Sequence, residues 1–142
     1  MHIPAFSLFS AISELLVTAG VLFVVRRNWT RRPFPFAVFL TVALFEGLVN
    51  VMYMANRASQ ASAAHAGGPT LSVGMKIAFA AHGMLSLLGY LVFVVLGTFA
   101  HQEQRQGRWF FRDRPALTWA FLVLWTISIV SGEVIFALRY LV

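Results

Sequence analysis

The chain has 142 residues, of which 59% are apolar and only 11% are charged, and its mean hydropathy is +0.76. A soluble domain carries about 25% charged residues, so this composition excludes a water-soluble fold and indicates a chain whose solvent is lipid. The absence of cysteine excludes disulfide, thiolate and iron–sulfur chemistry, and the net charge of +6 comes from bases confined to short loops, which predicts no nucleic-acid partner.

Four long apolar segments follow one another along the chain, at about residues 4–25, 34–55, 73–100 and 115–141. A helix needs about 20 such residues to cross about 30 Å of hydrocarbon at 1.5 Å per residue. No cleaved signal peptide is expected, because no Lys or Arg precedes the first segment. Residues 56–70, rich in Ala, Ser and Gly, are expected to form a plain connector. The sequence therefore predicts an all-α integral membrane protein, a single domain over residues 1–142 that forms an antiparallel bundle of four transmembrane helices.

The bases are distributed unevenly between the two sides of the predicted bundle. One side carries eight and the other carries three, Arg57, Lys76 and Arg139; the eight are Arg26, Arg27, Arg31, Arg32, Arg105, Arg108, Arg112 and Arg114. The positive-inside rule therefore predicts an inner (cytoplasmic) membrane protein with both basic loops in the cytoplasm and both termini outside. Aromatic residues at the two ends are expected to form interfacial belts: Trp29, Phe34, Phe36, Trp109, Phe110 and Phe111 at the basic end, Tyr53 and Tyr140 at the other.

Each predicted span contains one acidic residue or histidine, and these are Glu14, Glu46, His82 and Glu133. Counted from the outer helix ends, all four lie roughly 12 to 14 Å deep at 1.5 Å per residue. Small and hydroxyl-bearing residues recur beside them at spacings of three and four, which is typical of faces where membrane helices meet. The four side chains are therefore expected to converge in one layer inside the bundle, with Asn50 and Ser86 as neighbours.

This layer suggests a site, because an ionised acid at a helix centre costs about 2.5 to 3.5 kcal/mol on insertion. Three carboxylates, the His82 imidazole and the Asn50 amide form an oxygen-rich donor set that suits iron, manganese or zinc in a four-helix bundle. The sequence thus predicts Glu14, Glu46, His82, Glu133 and Asn50 as candidate metal or proton ligands. The alternative is a structural layer of protonated glutamates and a neutral histidine that are hydrogen-bonded to nearby hydroxyl groups.

Copper(I) and haem are two other cofactors for which the sequence contains residues of a suitable type. A copper(I) site could use methionines of the second and third spans together with His65 or His82, namely Met52, Met54, Met75 and Met84. A bis-histidine haem is not expected, because His101 lies about 28 Å along the helix from His82, while His2 and His65 fall outside the spans.

Two segments and the order of elements resemble a known family. The Arg-rich turn after the first span is followed by residues 78–86, AFAAHGMLS, and by residues 125–136, WTISIVSGEVIF. This layout is similar to that of the CtaM-like (YozB-like) small four-helix membrane proteins, which are linked to the maturation of haem–copper terminal oxidases. The resemblance implies a metal role for His82. The family's histidines in the first loop and near the end of the second helix have no counterpart here.

Two functions follow as hypotheses. The first is an accessory or assembly subunit of a haem–copper-type respiratory oxidoreductase, embedded in the bilayer beside other membrane subunits, whose buried layer binds a metal or protons. The alternative is a stand-alone membrane metalloenzyme or proton-handling protein that uses the same layer. No nucleophile, base and orienting group occur together in the sequence, so no catalytic residue is assigned.

Overall fold

A computed structural model describes residues 5–65 and 72–140 of the chain. Within them the chain forms five helices and no strand: α1 (Ala5–Trp29), α2 (Phe36–His65), α3 (Val73–Gln104), α4 (Phe110–Asp113) and α5 (Pro115–Tyr140). All but α4 contain a stretch long and apolar enough to cross a membrane: Ser7–Trp29, Phe36–Asn56, Val73–Gln104 and Pro115–Leu138. The prediction of an all-α membrane protein with four spanning helices is confirmed.

Several expectations fall outside the described part of the chain. These concern the segment before the first span, the end of the 56–70 connector and the last two residues, with His2 among them. The side chains of Arg57, His65, Arg139 and Tyr140 also lie outside the description. Of the two histidines proposed as copper ligands, the structure therefore describes the side chain of His82 only.

The helix ends follow from local backbone chemistry. Arg31 (φ 57°) and Gly107 (φ 74°) adopt left-handed conformations just beyond α1 and α3, where the helical hydrogen-bond pattern must stop. The Pro35 carbonyl accepts a hydrogen bond from the amide of Phe39 as α2 begins, and the Ser72 hydroxyl accepts one from the amide of Met75 as α3 begins. These turns reverse the chain between consecutive spans.

α2 is longer than the sequence predicted. It continues as a helix to His65, although residues 56–65 were expected to belong to a connector. The expectation was wrong because it followed hydropathy, whereas Ala, Gln and Arg have high intrinsic helix propensity once a helix is already formed. α1 and α3 also run four residues beyond their predicted ends, to Trp29 and Gln104.

The long helices form an antiparallel bundle in which α1 packs on α2, α2 on α3, α3 on α5 and α5 on α1. Between α2 and α3, for example, Phe39 packs against Gly97 and Asn50 accepts a hydrogen bond from Ser86. Residue numbers rise along one helix as they fall along its neighbour, so the two helices run in opposite directions.

The tightest packing lies at the basic end, which is the end formed by the α1–α2 loop and α4. There Phe93 is fully buried and stacks on Phe121 with ring centroids 6.2 Å apart, while Trp125 contacts both rings at 5.9 Å. The ring of Phe39 meets Phe93 edge-on from α2. This aromatic core ties α2, α3 and α5 together.

α4 closes the basic end of the bundle. Phe34, Phe110 and Phe111 are buried, so their assignment to an interfacial aromatic belt was wrong. The reason is a pair of tertiary hydrogen bonds: the Phe111 amide donates to Asn28 Oδ1 at 3.0 Å, and the Thr118 hydroxyl donates to the Phe111 carbonyl at 2.8 Å. These bonds draw α4 beneath the bundle, where its two phenylalanines act as a plug.

An ion pair holds the surface of the same end. Both terminal nitrogens of Arg114 donate to the Glu103 carboxylate at 2.8 Å, and Arg108 lies 3.9 Å from it. The hydrogen bonds to Glu103 raise the pKa of Arg114 above its usual range. The pair joins the end of α3 to the start of α5.

Candidate functional site

The opposite half of the bundle contains a cavity of about 240 Å³ between α1, α2 and α3. Its lining combines carboxyl, imidazole, amide and hydroxyl groups with apolar side chains: Ser10, Ser13, Glu14, Glu46, Val49, Asn50, Val51, Tyr53, Met54, His82, Gly83, Ser86 and Leu87. Four of the five residues that the sequence predicted as ligands are in this set, and so is the expected neighbour Ser86. A cavity of this volume has room for several waters, which can bond to its polar groups.

His82 is oriented by α5. Its Nδ1 lies 3.0 Å from the Ser131 hydroxyl, and that hydroxyl donates its own proton to the Ser128 carbonyl at 2.7 Å. The Ser131 oxygen is therefore the acceptor, and this pattern assigns the proton of a neutral imidazole to Nδ1. The lone pair of Nε2 is left available on the opposite edge of the ring.

Glycine at position 132 lets Glu14 and His82 approach the same point on α5. A methyl group in place of the glycine hydrogen would lie 3.0 Å from Glu14 Oε2, 3.2 Å from His82 Nε2 and 2.7 Å from His82 Cε1. A real side chain would press on both groups at these distances. The carboxyl group of α1 and the available imidazole nitrogen of α3 thus both lie beside one position of the α5 backbone that has no Cβ.

Glu46 is held by a short hydrogen-bond chain on the other side of the cavity. The Asn50 amide nitrogen lies 3.0 Å from both Oε1 and the carbonyl oxygen of Glu46, and the Ser86 hydroxyl donates to Asn50 Oδ1 at 3.4 Å. Glu46 is only 8% exposed. Because helical positions 46 and 50 share a face, both polar groups point into the bundle.

Glu133 differs from the other predicted ligands. It is the next residue after Gly132 and lies within electrostatic range of Glu14, but it is not among the residues that line the cavity. Its Oε1 is buried and accepts no hydrogen bond from the described residues. The predicted layer is therefore a cavity lined by Glu14, Glu46, Asn50 and His82, with Glu133 behind it on α5.

Sequence reasoning missed three residues that shape this site. Ser131 orients the imidazole, Gly132 makes room for it, and the ring of Tyr53 meets it edge-on at a centroid distance of 6.4 Å. Ser131 and Gly132 are part of the segment that carried the family resemblance. The sequence segment thus pointed to Ser131 and Gly132, but it did not show that they contact His82 and Glu14.

The donor set does not fit a metal centre in this arrangement. Across residues 5–65 and 72–140, no three His, Cys, Asp or Glu side chains lie close enough together to share one metal ion. Of the methionines weighed for copper, Met54 lines the cavity, whereas Met52 and Met84 are exposed on the outer surface of the helices. His101 stacks on Phe36 at 4.4 Å near the basic end. Metal binding therefore stays a prediction, and the described residues do not provide a set of ligands for it.

Comparisons with known proteins add no assignment. No family model, curated protein or solved structure matches this chain. The resemblance to the CtaM-like proteins, and the respiratory role that it implies, therefore stay predictions.

Proposed function

We propose that this chain is a multi-pass membrane protein that binds and releases protons in its cavity, with Glu14 and His82 as the exchanging pair. The single observation that supports this function is the approach of Glu14 Oε2 and His82 Nε2 to one point beside Gly132. A carboxyl group and an imidazole with an available lone pair form a donor and an acceptor for one proton.

The chemistry of the pair is a transfer between two protonation states. In one state the proton is on the Glu14 carboxyl group and both side chains are uncharged, which suits a site within lipid. In the other state the proton has moved to His82 Nε2, which leaves a carboxylate beside an imidazolium whose Nδ1 proton still bonds to Ser131. Either state avoids an isolated buried charge.

Glu46 gives the cavity a second exchangeable group. It lines the cavity together with Glu14, and the Asn50 amide donates to its Oε1. Water in the cavity would connect the two carboxyl groups, because a bridging water replaces a direct hydrogen bond with little loss of enthalpy. The proposed route therefore runs from Glu46 through the cavity to Glu14 and His82.

The test is a pH titration of the carboxyl groups, followed by infrared spectroscopy on the purified protein in mild detergent. Infrared difference spectra recorded across a pH titration should show protonated carboxyl bands that disappear as pH rises, and Glu14→Gln should remove one of them. Glu103→Gln is the matched control, because Glu103 is at the basic end, far from the cavity. A carboxyl spectrum that Glu14→Gln and Glu46→Gln both leave unchanged would overturn the proposal.

The proposed cellular setting follows from the distribution of bases and from the family resemblance. We expect an inner-membrane protein with both termini outside that works as an accessory or assembly subunit of a haem–copper-type oxidoreductase. A reporter active only in the cytoplasm should give no signal when fused to the C-terminus. Co-purification in mild detergent with oxidoreductase subunits would support the accessory role, and purification as a lone chain from membranes that contain the oxidoreductase would contradict it.

A further inference from the structure

We propose that the cavity also binds a small lipid-soluble organic cation, a protonated or quaternary amine with one aromatic ring, in exchange for a proton. This inference rests on the proposed proton-binding function of the same cavity. The exchange is balanced in charge: a neutral carboxyl group releases one proton to solvent as one monocation binds beside the resulting carboxylate.

The volume of the cavity sets the size of the ligand. A cavity of about 150 Å³ accepts benzene in a protein interior, and this one measures about 240 Å³. The additional space accommodates a compact ammonium group attached to one ring. A ligand with several rings would exceed it.

The charge of the lining favours a cation. Glu14 from α1 and Glu46 from α2 are in the lining, Glu133 lies behind them on α5, and His82 is the titratable group from α3. No Lys or Arg is among the lining residues, and Lys76 is exposed at the start of α3. A bound monocation would therefore supply the counter-charge that an ionised carboxylate needs in lipid.

Glu46 provides a buried carboxyl group in the lining for such a ligand. Its side chain is 8% exposed, and Oε1 is occupied by the Asn50 amide. Glu46 lines the cavity, and its second carboxyl oxygen, Oε2, would contact the bound cation. The ring of Tyr53 is in the same lining, and an aromatic ring near an ammonium group adds a favourable cation–π interaction.

The rim of the cavity indicates entry from the bilayer. Val51 and Met54 of α2 are 67% and 57% exposed, and Leu87 of α3 is also exposed, yet all three contribute to the lining. Within a membrane such exposed apolar side chains contact lipid. A ligand with an apolar ring and one charge thus meets apolar groups at the rim and carboxyl groups inside.

The experiment compares two molecules of the same shape in equilibrium binding to the purified protein in detergent micelles. Benzyltrimethylammonium is the probe, and neopentylbenzene, in which carbon replaces the charged nitrogen, is the neutral control. We expect saturable binding of one benzyltrimethylammonium per chain and release of about one proton per cation. At pH values below the pH at which the cavity carboxyl group titrates, the affinity should fall up to about tenfold for each pH unit, because the proton and the cation compete for the carboxylate. Neopentylbenzene should partition into protein micelles no better than into empty ones.

Variants separate charge from space. Glu46→Gln should weaken binding of the cation at least about tenfold, and Gly83→Leu should abolish it by filling the cavity. Glu103→Gln should bind like the wild type. Equal binding of the two probes, or cation binding that survives both Glu46→Gln and Gly83→Leu, would overturn the inference. Normal carboxyl titration without cation binding would overturn it and leave the proton-binding proposal standing, whereas cation binding without carboxyl titration or proton release would overturn both.

Discussion

Towards the basic end α2, α3 and α5 pack around the rings of Phe39, Phe93 and Phe121, whereas in the opposite half α1, α2 and α3 line a cavity of about 240 Å³. Lipid is as apolar as leucine, so burying an apolar side chain between membrane helices brings little hydrophobic gain. Close packing must then come from shape, small residues and hydrogen bonds. The packed aromatic rings therefore stabilise the first half, whereas the cavity leaves room for a solute in the second half.

Two glycines show the same difference on a smaller scale. Gly97 lies under the ring of Phe39, where its missing Cβ allows α2 and α3 to pack in close contact. Gly132 lies under His82 and Glu14, where the missing Cβ makes room for ionisable groups. One glycine therefore serves helix packing, and the other serves the candidate site.

The largest expected effect is from Gly97→Ala. The added methyl group would overlap the Phe39 ring, and overpacking of this kind costs about 1–3 kcal/mol. Gly74→Ala is the matched control on the same helix, because a methyl group there meets no atom within 4 Å, and alanine favours helix by up to about 1 kcal/mol. Thermal unfolding in detergent should show a large loss for the first variant and none for the second. Equal midpoints would show that the basic end is not tightly packed.

A second test addresses the plug formed by α4. Thr118→Val removes the hydroxyl that donates to the Phe111 carbonyl and leaves a buried acceptor without its partner, at a cost of about 1–3 kcal/mol. Thr126→Val is the control on the same helix, since the exposed Thr126 hydroxyl bonds only to the Leu122 carbonyl one turn away. We expect faster amide exchange at Phe110 and Phe111 in Thr118→Val alone. Unchanged exchange would mean that this hydroxyl does not hold α4.

Gly132→Ala should affect function more than stability. The methyl group would displace the His82 imidazole, and the adjacent cavity gives the ring space to move, so we expect a smaller stability loss than for Gly97→Ala. The nitrogen chemical shifts of His82 and the carboxyl infrared bands should both change. Gly83→Ala, with its nearest atom 3.9 Å away on Tyr53, is the control. A wild-type His82 spectrum in Gly132→Ala would contradict the proposed pairing with Glu14.

The smallest effect is expected from the ion pair at the basic surface. Arg114→Gln breaks both hydrogen bonds to Glu103, but exposed ion pairs contribute about 0–1 kcal/mol and are screened by salt. Arg112→Gln removes the same charge from an exposed position nearby. Unfolding midpoints should differ slightly at low salt and converge at high salt. A difference that persists at high salt would show that the Arg114–Glu103 pair contributes more to stability than an exposed ion pair does.

The sequence by itself determined the solvent, the four spans and the presence of a polar layer. Composition requires lipid around the chain, segment length sets the number of crossings, and the shared depth of Glu14, Glu46 and His82 follows from a rise of 1.5 Å per residue. The same spacing predicted that Asn50 would neighbour Glu46, because helical positions four apart share a face. These properties depend on one helix at a time.

Only the tertiary structure decided which of these groups meet. Consecutive helical residues point about 100° apart, so the rotation of α5 decides that Gly132 faces His82 and Glu14 while Glu133 lies behind them. A prediction that places helix ends within a few residues cannot fix that rotation. The plug formed by Phe110 and Phe111 likewise depends on Asn28, which comes from α1 and is remote in sequence, and on Thr118 at the start of α5. Hydropathy carries no information about such long-range hydrogen bonds, because it describes the environment of a residue and not its partner.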